Sequence, residues 1–130
     1  MSQENVEIVR QAFEAFERGD VSGMVKDVDP EAIATAEAGV PGEFRGPEGF
    51  LQSLAEWTEG FDQFKATAEE FTDASDCVIV RVHQSAQGQG SGVPVEADFW
   101  FVAKLRDGKL VRLDIITSEK QALEAAGLSE

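Results

Sequence analysis

One cysteine and one histidine in 130 residues leave little room for most catalytic and metal chemistry. With Cys77 alone, an intrachain disulfide cannot form and a cysteine-based zinc site is excluded. Any Ser-His-Asp or Cys-His arrangement must use His83. Carboxylates are plentiful, but none is grouped with the histidine at ligand spacing, so neither a metal nor a cofactor is expected. Basic residues are also scarce: 11 Lys and Arg stand against 25 Asp and Glu, a net charge of -14. That sign repels phosphate backbones and anionic lipid surfaces, so nucleic acid and membranes are not expected partners. No apolar run approaches transmembrane length, and MSQENVEIVR lacks the positive start and apolar block of a signal peptide. A cytoplasmic location is the expectation. GQGSG is followed by no helix that would supply backbone donors, so it reads as a mobile hairpin loop rather than a phosphate loop.

What is present is material for a core. Hydrophobic residues make up 42% of a chain whose length suits one domain, residues 1–130, burying roughly two-thirds of its unfolded surface. Ser2 can cap a first helix in which Val6, Val9, Phe13 and Phe16 recur at helical spacing, and Gly19 suits its end. Asp20 can cap a second, shorter helix through Met24 and Val25. Residues 31–37 read as a brief strand, and AGVPGEFRG as a loop. Pro47 suits the first position of a third helix with the stripe Phe50, Leu54, Trp57 and Phe61. The period then changes to alternation: FKATAEEFT and CVIVRVHQSA read as two strands joined at residues 73–76. VPVEADFWFVAKL and KLVRLDIIT form a hairpin closed by Arg106-Asp107-Gly108. Ser118 through Gln121 is a capping box, which predicts a last helix over 119–126. Helices followed by a mainly antiparallel sheet define an α+β domain.

Alternation sorts the last hairpin into two faces. A turn at 106–108 pairs Leu105 with Lys109, Ala103 with Val111, Phe101 with Leu113 and Phe99 with Ile115. That face is apolar and must be covered by the helices. The opposite face carries Glu96, Asp98, Trp100, Lys104, Arg112 and Asp114, a mixed surface suited to a second subunit. His83 alternates with Arg81 and Ser85, away from Val78, Val80 and Val82; a hairpin turning near residue 90 brings it to Asp98.

NVEIVRQAFEAFERGDVSGM, the Asp29-Pro30 turn, FRGPEGF, DASDCVIVRV, GQGSGVPVE, LRDGKLVRL and EKQALEAAGLSE run in the order seen in SnoaL-like proteins, which the chain resembles over nearly its whole length. The resemblance implies the cone-shaped superfold of nuclear transport factor 2, ketosteroid isomerase and scytalone dehydratase. That fold is a strongly curved antiparallel sheet wrapped around a long N-terminal helix, with two or three further short helices. It also implies a pocket between helices and sheet, and frequently a homodimer through the sheet, here by the face carrying Trp100. It implies no particular activity. In the isomerase pattern the helix-one tyrosine falls at Ala12, the general-base aspartate at about Ala36, beside Glu37, and the second acid near Phe101. The cyclase aspartate of SnoaL-type enzymes falls at Ile115, one place after Asp114.

These readings leave three functions. The first is binding of a small hydrophobic molecule by Phe13, Phe16, Trp57, Phe99, Phe101, Leu113 and Ile115. The second is a cyclase, isomerase or hydrolase acting by proton transfer in that pocket, with His83, Asp98 and Asp114 as the candidate acid-base residues. Glu37, Glu43 and Arg45 lie near the mouth such a pocket would have, where a carboxylate turned inward would gain a raised pKa. The third is a structural dimerisation module with a filled core.

Overall fold

The computed structural model describes residues 2–36 and 42–128. Glu37 and residues 38–41 of the loop expected after it lie outside the described residues, as does the side chain of the expected cap Ser2; the rest of that loop holds a short strand and the start of a helix. The N-terminal stripe folds as α1 (Ser2–Arg18), which buries Val9 and Ala15 and packs Phe13 on the core. It stops at Gly19, whose φ of 76° suits glycine. The N–H groups of Gly19 and Asp20 bond back to the Phe16 and Ala15 carbonyls at 3.0 and 2.8 Å. The Asp20 carboxylate then accepts from the Gly23 N–H at 3.0 Å and starts α2 (Val21–Met24).

β1 (Val28–Ala36) is longer than the brief strand expected, because it takes in Pro30. Proline cannot donate to a ladder, and the register of β1 against its neighbour jumps between Val28 and Ile33, around that residue. β2 (Phe44–Arg45) pairs with β1, and α3 (Gly46–Thr58) follows with Pro47 in its first turn. Gly46 has φ 73°, and a Cβ there would lie 2.8 Å from the Pro30 carbonyl oxygen, so glycine lets α3 start directly against β1. The helix ends at Thr58. Phe61, expected to close its stripe, instead opens β3 (Phe61–Ala74), with the helix-weakening Gly60 between them.

β4 (Cys77–Gly88), β5 (Pro94–Arg106) and β6 (Lys109–Ile116) complete a curved, unclosed sheet of six strands in the order β2-β1-β6-β5-β4-β3. Bulges in the β3–β4 and β5–β6 ladders bend it. Its pairs are antiparallel except that β1 runs parallel to β6, so the sheet is mixed. Side chains alternate identically in either strand direction, so alternation carries no information on that point.

The last hairpin turns on two residues, not three. Asp107 and Gly108 have φ of 54° and 77°, and Arg106 pairs with Lys109. Positive φ at both central residues matches the twist of the strands and favours Asp-Gly. Leu105 therefore faces Leu110, and an extra residue, Val111, carries Ala103 opposite Leu113 and Phe101 opposite Ile115. These partners replace the expected Val111 and Leu113. Beyond the bulge the offset is two residues, an even number, so those side chains keep the face that alternation assigned.

Val78, Val80 and Val82 of β4 are fully buried on the concave face, packed with Val9, Phe13 and Phe101. Each stabilises the fold by roughly 1.5–3 kcal/mol relative to exposure. The convex face carries a smaller core. There α4 (Glu119–Ala125) starts at the Ser118 hydroxyl, which accepts from the Gln121 N–H, and lays Ala122 on Ile79, Val102 and Ile116 beside Trp100. Part of the face expected to meet a second subunit is thus covered by the chain's own last helix.

Candidate functional site

Helices α1, α2 and α3 do not fill the concave side of the sheet. A cavity of about 190 Å³ remains between them and the strands. It is smaller than the ~300 Å³ at which drug-sized sites begin, and slightly larger than the ~150 Å³ engineered cavity that takes up benzene.

The wall is apolar almost throughout. Phe13 and Phe16 enter from α1, Trp57 from α3, and Phe101, Leu113 and Ile115 from β5 and β6. Phe99, expected beside them, is buried behind the wall and meets Trp57 edge-on with ring centroids 5.5 Å apart. The positions at which the isomerase and cyclase patterns place their polar groups, Ala12, Ala36, Phe101 and Ile115, all border this cavity and are all apolar. The chain has no tyrosine anywhere.

One polar side chain in the wall was not singled out by sequence reasoning. Gln84 of β4 is 9% exposed, and its Oε1 accepts from Trp57 Nε1 at 2.9 Å. The signal was available: Gln84 follows Val78, Val80 and Val82 at the same two-residue spacing, a polar residue continuing an apolar face. At the α2 end the cavity is bordered by Lys26 and Asp27, which form an ion pair at 2.8 Å, and Ser53 contributes from α3.

The candidate acid-base residues lie elsewhere. His83 pairs with Asp98 across β4 and β5, and its Nδ1 lies 2.7 Å from the Asp98 carboxylate while Nε2 is 3.4 Å from Glu96. Both project from the convex face, and neither borders the cavity. The hydrogen bond to Asp98 holds the imidazole above its ordinary value of 6.5, outweighing partial loss of hydration, with help from the negative charge of Asp98, Glu96 and Glu69. Arg81 joins the same group, 3.2 Å from Glu69, 3.6 Å from Asp98 and 3.8 Å from Glu70. Asp114 also faces outward. It accepts from the Thr35 hydroxyl at 2.6 Å and from Arg112 Nε at 2.9 Å, and that bond raises the guanidinium pKa. Arg45 lies beside Glu31 at 3.5 Å, and neither it nor Glu43 borders the cavity. None of these groups borders the cavity. Among the described residues, no group of three or more His, Cys, Asp and Glu is arranged to hold a metal ion, and no helix is long and apolar enough to cross a membrane.

Comparison with known proteins agrees with this architecture. Residues 9–113 match the family described as SnoaL-like domain. No functionally curated protein matches the sequence. An NTF2-like protein from Burkholderia thailandensis superposes with a TM-score of 0.79 at 24% identity, with 95% of each chain covered. A provisionally assigned SnoaL-like polyketide cyclase from Jannaschia sp. gives 0.77 at 20% identity, covering 99% of this chain and 94% of its own. TerC, crystallised with polyporic acid, gives 0.77 at 21% identity, covering 95% of this chain and 98% of its own. At these identities the likeness concerns the fold, while the match over residues 9–113 is decisive for kinship: the chain belongs to the SnoaL-like domain family.

Proposed function

We propose that the protein binds a small hydrophobic molecule of one or two rings in the cavity on the concave side of its sheet. The observation that carries this reading is the wall itself: the positions where the family resemblance locates acid-base groups hold Ala12, Ala36, Phe101 and Ile115. Such a site gains its affinity from apolar burial and offers little to polarise a substrate. The proton-transfer alternative rests on Asp27, which among the described residues is the one carboxylate bordering the cavity, and that group is engaged by Lys26.

Thermal denaturation of the wild type with increasing indane, followed by circular dichroism, tests the proposal. Binding to the folded state alone adds about 1.4 kcal/mol of stability at ten times Kd. Ala12→Leu, which places a larger side chain in the cavity, is expected to abolish that gain. Asp27→Asn is expected to leave it intact. A wild type without saturable stabilisation, or an Ala12→Leu variant that binds as well as the parent, would overturn the reading.

A further inference from the structure

The walls of the cavity are not equally fixed. On one side α1 buries Val9 and Ala15, and β4 buries Val78, Val80 and Val82. The stretch that runs from α2 into β1 is different. Gly23, Met24, Val25 and Lys26 border the cavity, yet no residue from 21 to 27 is buried, and Val21 is 53% exposed. α2 packs chiefly on α1. Few buried apolar contacts put a segment at the low-stability end of a structure.

Both ends of this segment are tied down. The Asp20 N–H donates to the Ala15 carbonyl of α1, and the Leu110 N–H of β6 donates to the Asp27 carbonyl, each at 2.8 Å. Between these points the backbone bonds are local. Met24 donates to the Asp20 carbonyl at 3.1 Å, Val25 to the Ser22 carbonyl at 3.3 Å, and Val28 to the Val25 carbonyl at 3.1 Å. Displacing residues 21–26 therefore opens none of the sheet's ladders. What seats the segment on α1 is Asp20. Its carboxylate accepts from the Gly23 N–H at 3.0 Å and lies 3.4 Å from Arg18. A Cβ on Gly23 would come within 2.5 Å of that carboxylate and 3.1 Å of Ala15, so glycine is what lets the two approach so closely.

On the binding reading above, we propose that residues 21–26 are a lid through which the ligand enters and leaves the cavity, latched shut by the Asp20 carboxylate. Asp20 does not border the cavity, so it acts on access and not through contact with the ligand. Met24, unbranched and easily repacked, borders the cavity from the lid.

Asp20→Ala removes the latch and is expected to favour opening roughly five-fold, the usual worth of a helix cap. Line shapes of the Ile115 methyl resonances during an indane titration give both rate constants. A latch that holds the lid shut in free and bound protein alike slows entry and exit equally. Association and dissociation are therefore expected to quicken by the same factor, with Kd unchanged within about two-fold. Asp20→Asn, an equally good cap, is expected to restore both rates. In the wild type, the Met24 and Val25 amides are expected to exchange together and ahead of that of Val80, and faster still in Asp20→Ala. An association rate that ignores Asp20→Ala, a rise in dissociation alone, or Met24 and Val25 amides that exchange only as slowly as Val80 would overturn the lid and leave the binding reading standing. Failure of indane to bind the wild type below about 1 mM would overturn the binding reading itself, and this inference with it.

Discussion

The two faces of the central strands differ by a single step along the chain. On the concave face β4 presents Val78, Val80, Val82 and Gln84, and β5 presents Phe101 and Ala103. On the convex face the same strands present Arg81, His83, Glu96 and Asp98, with Trp100 among them. Titratable groups are abundant in this protein, and the sheet holds nearly all of those on its central strands away from the cavity. The comparison teaches that residue inventory is a poor guide to chemistry in this fold. What counts is parity, because one position separates a carboxylate paired on the convex face, such as Asp114, from a cavity side chain such as Ile115.

The sharpest way to break the contrast is to move charge across the sheet. Val80→Asp buries an unpaired carboxylate at a fully buried position and is expected to cost at least about 4 kcal/mol, enough to unfold much of the protein, as circular dichroism in urea would register. Ala replacing the adjacent Arg81 is expected to cost under about 1 kcal/mol, because that ion cluster is more than a third exposed.

Ile115→Asp is the next largest, at about 2–4 kcal/mol near neutral pH, since the new carboxyl enters the apolar cavity. Its pKa in the folded state would lie above the unfolded value of about 3.9, so the ionisation part of the penalty vanishes below that pH and grows as pH rises toward the folded-state value, on top of a packing loss that is the same at every pH. Urea titrations at pH 4 and pH 7 distinguish this from a simple packing defect, which would be equal at both.

Trp57→Phe keeps an aromatic ring beside Phe99 and removes the donor to Gln84, with an expected loss of about 1–2 kcal/mol in denaturant unfolding. The smallest effect belongs to the convex face. His83 holds its proton more tightly folded than unfolded, so the stability its Asp98 contact adds is fully present below about pH 6.5 and fades as pH rises through the folded-state pKa. Asp98→Asn is expected to lower that pKa, read from the imidazole proton shifts, and to leave indane binding unchanged. A change in binding would mean that the two faces communicate through the sheet.

Local signals were legible wherever one short stretch of chain satisfies itself. The Gly19-Asp20 junction, the Ser118 cap and the place of the last hairpin's turn, though not its length, each follow from backbone chemistry within a few residues. The pairing of His83 with Asp98 followed from the hairpin length. The hairpin register did not, because the turn takes two residues rather than the three expected and Val111 adds a bulge that no alternation pattern reveals. The full extent of β1 was hidden too: Asp29-Pro30 was expected as a turn ahead of the strand, yet both lie within β1, where the register jump accommodates a residue without an N–H. Gln84 was legible in parity, but its importance depends on Trp57, 27 positions away on α3.

The sequence by itself determined which side chains share a face, because alternation at two residues and recurrence at 3.6 are properties of the backbone and need no distant partner. It also determined that the cavity side of the sheet would be apolar. Only the tertiary structure decided that β1 runs parallel to β6, that α4 covers part of the convex face, and that α1, α2 and α3 leave about 190 Å³ open above the strands. Those outcomes depend on how separate elements pack against one another, and an apolar stripe is equally satisfied by a filled core or by the wall of a cavity.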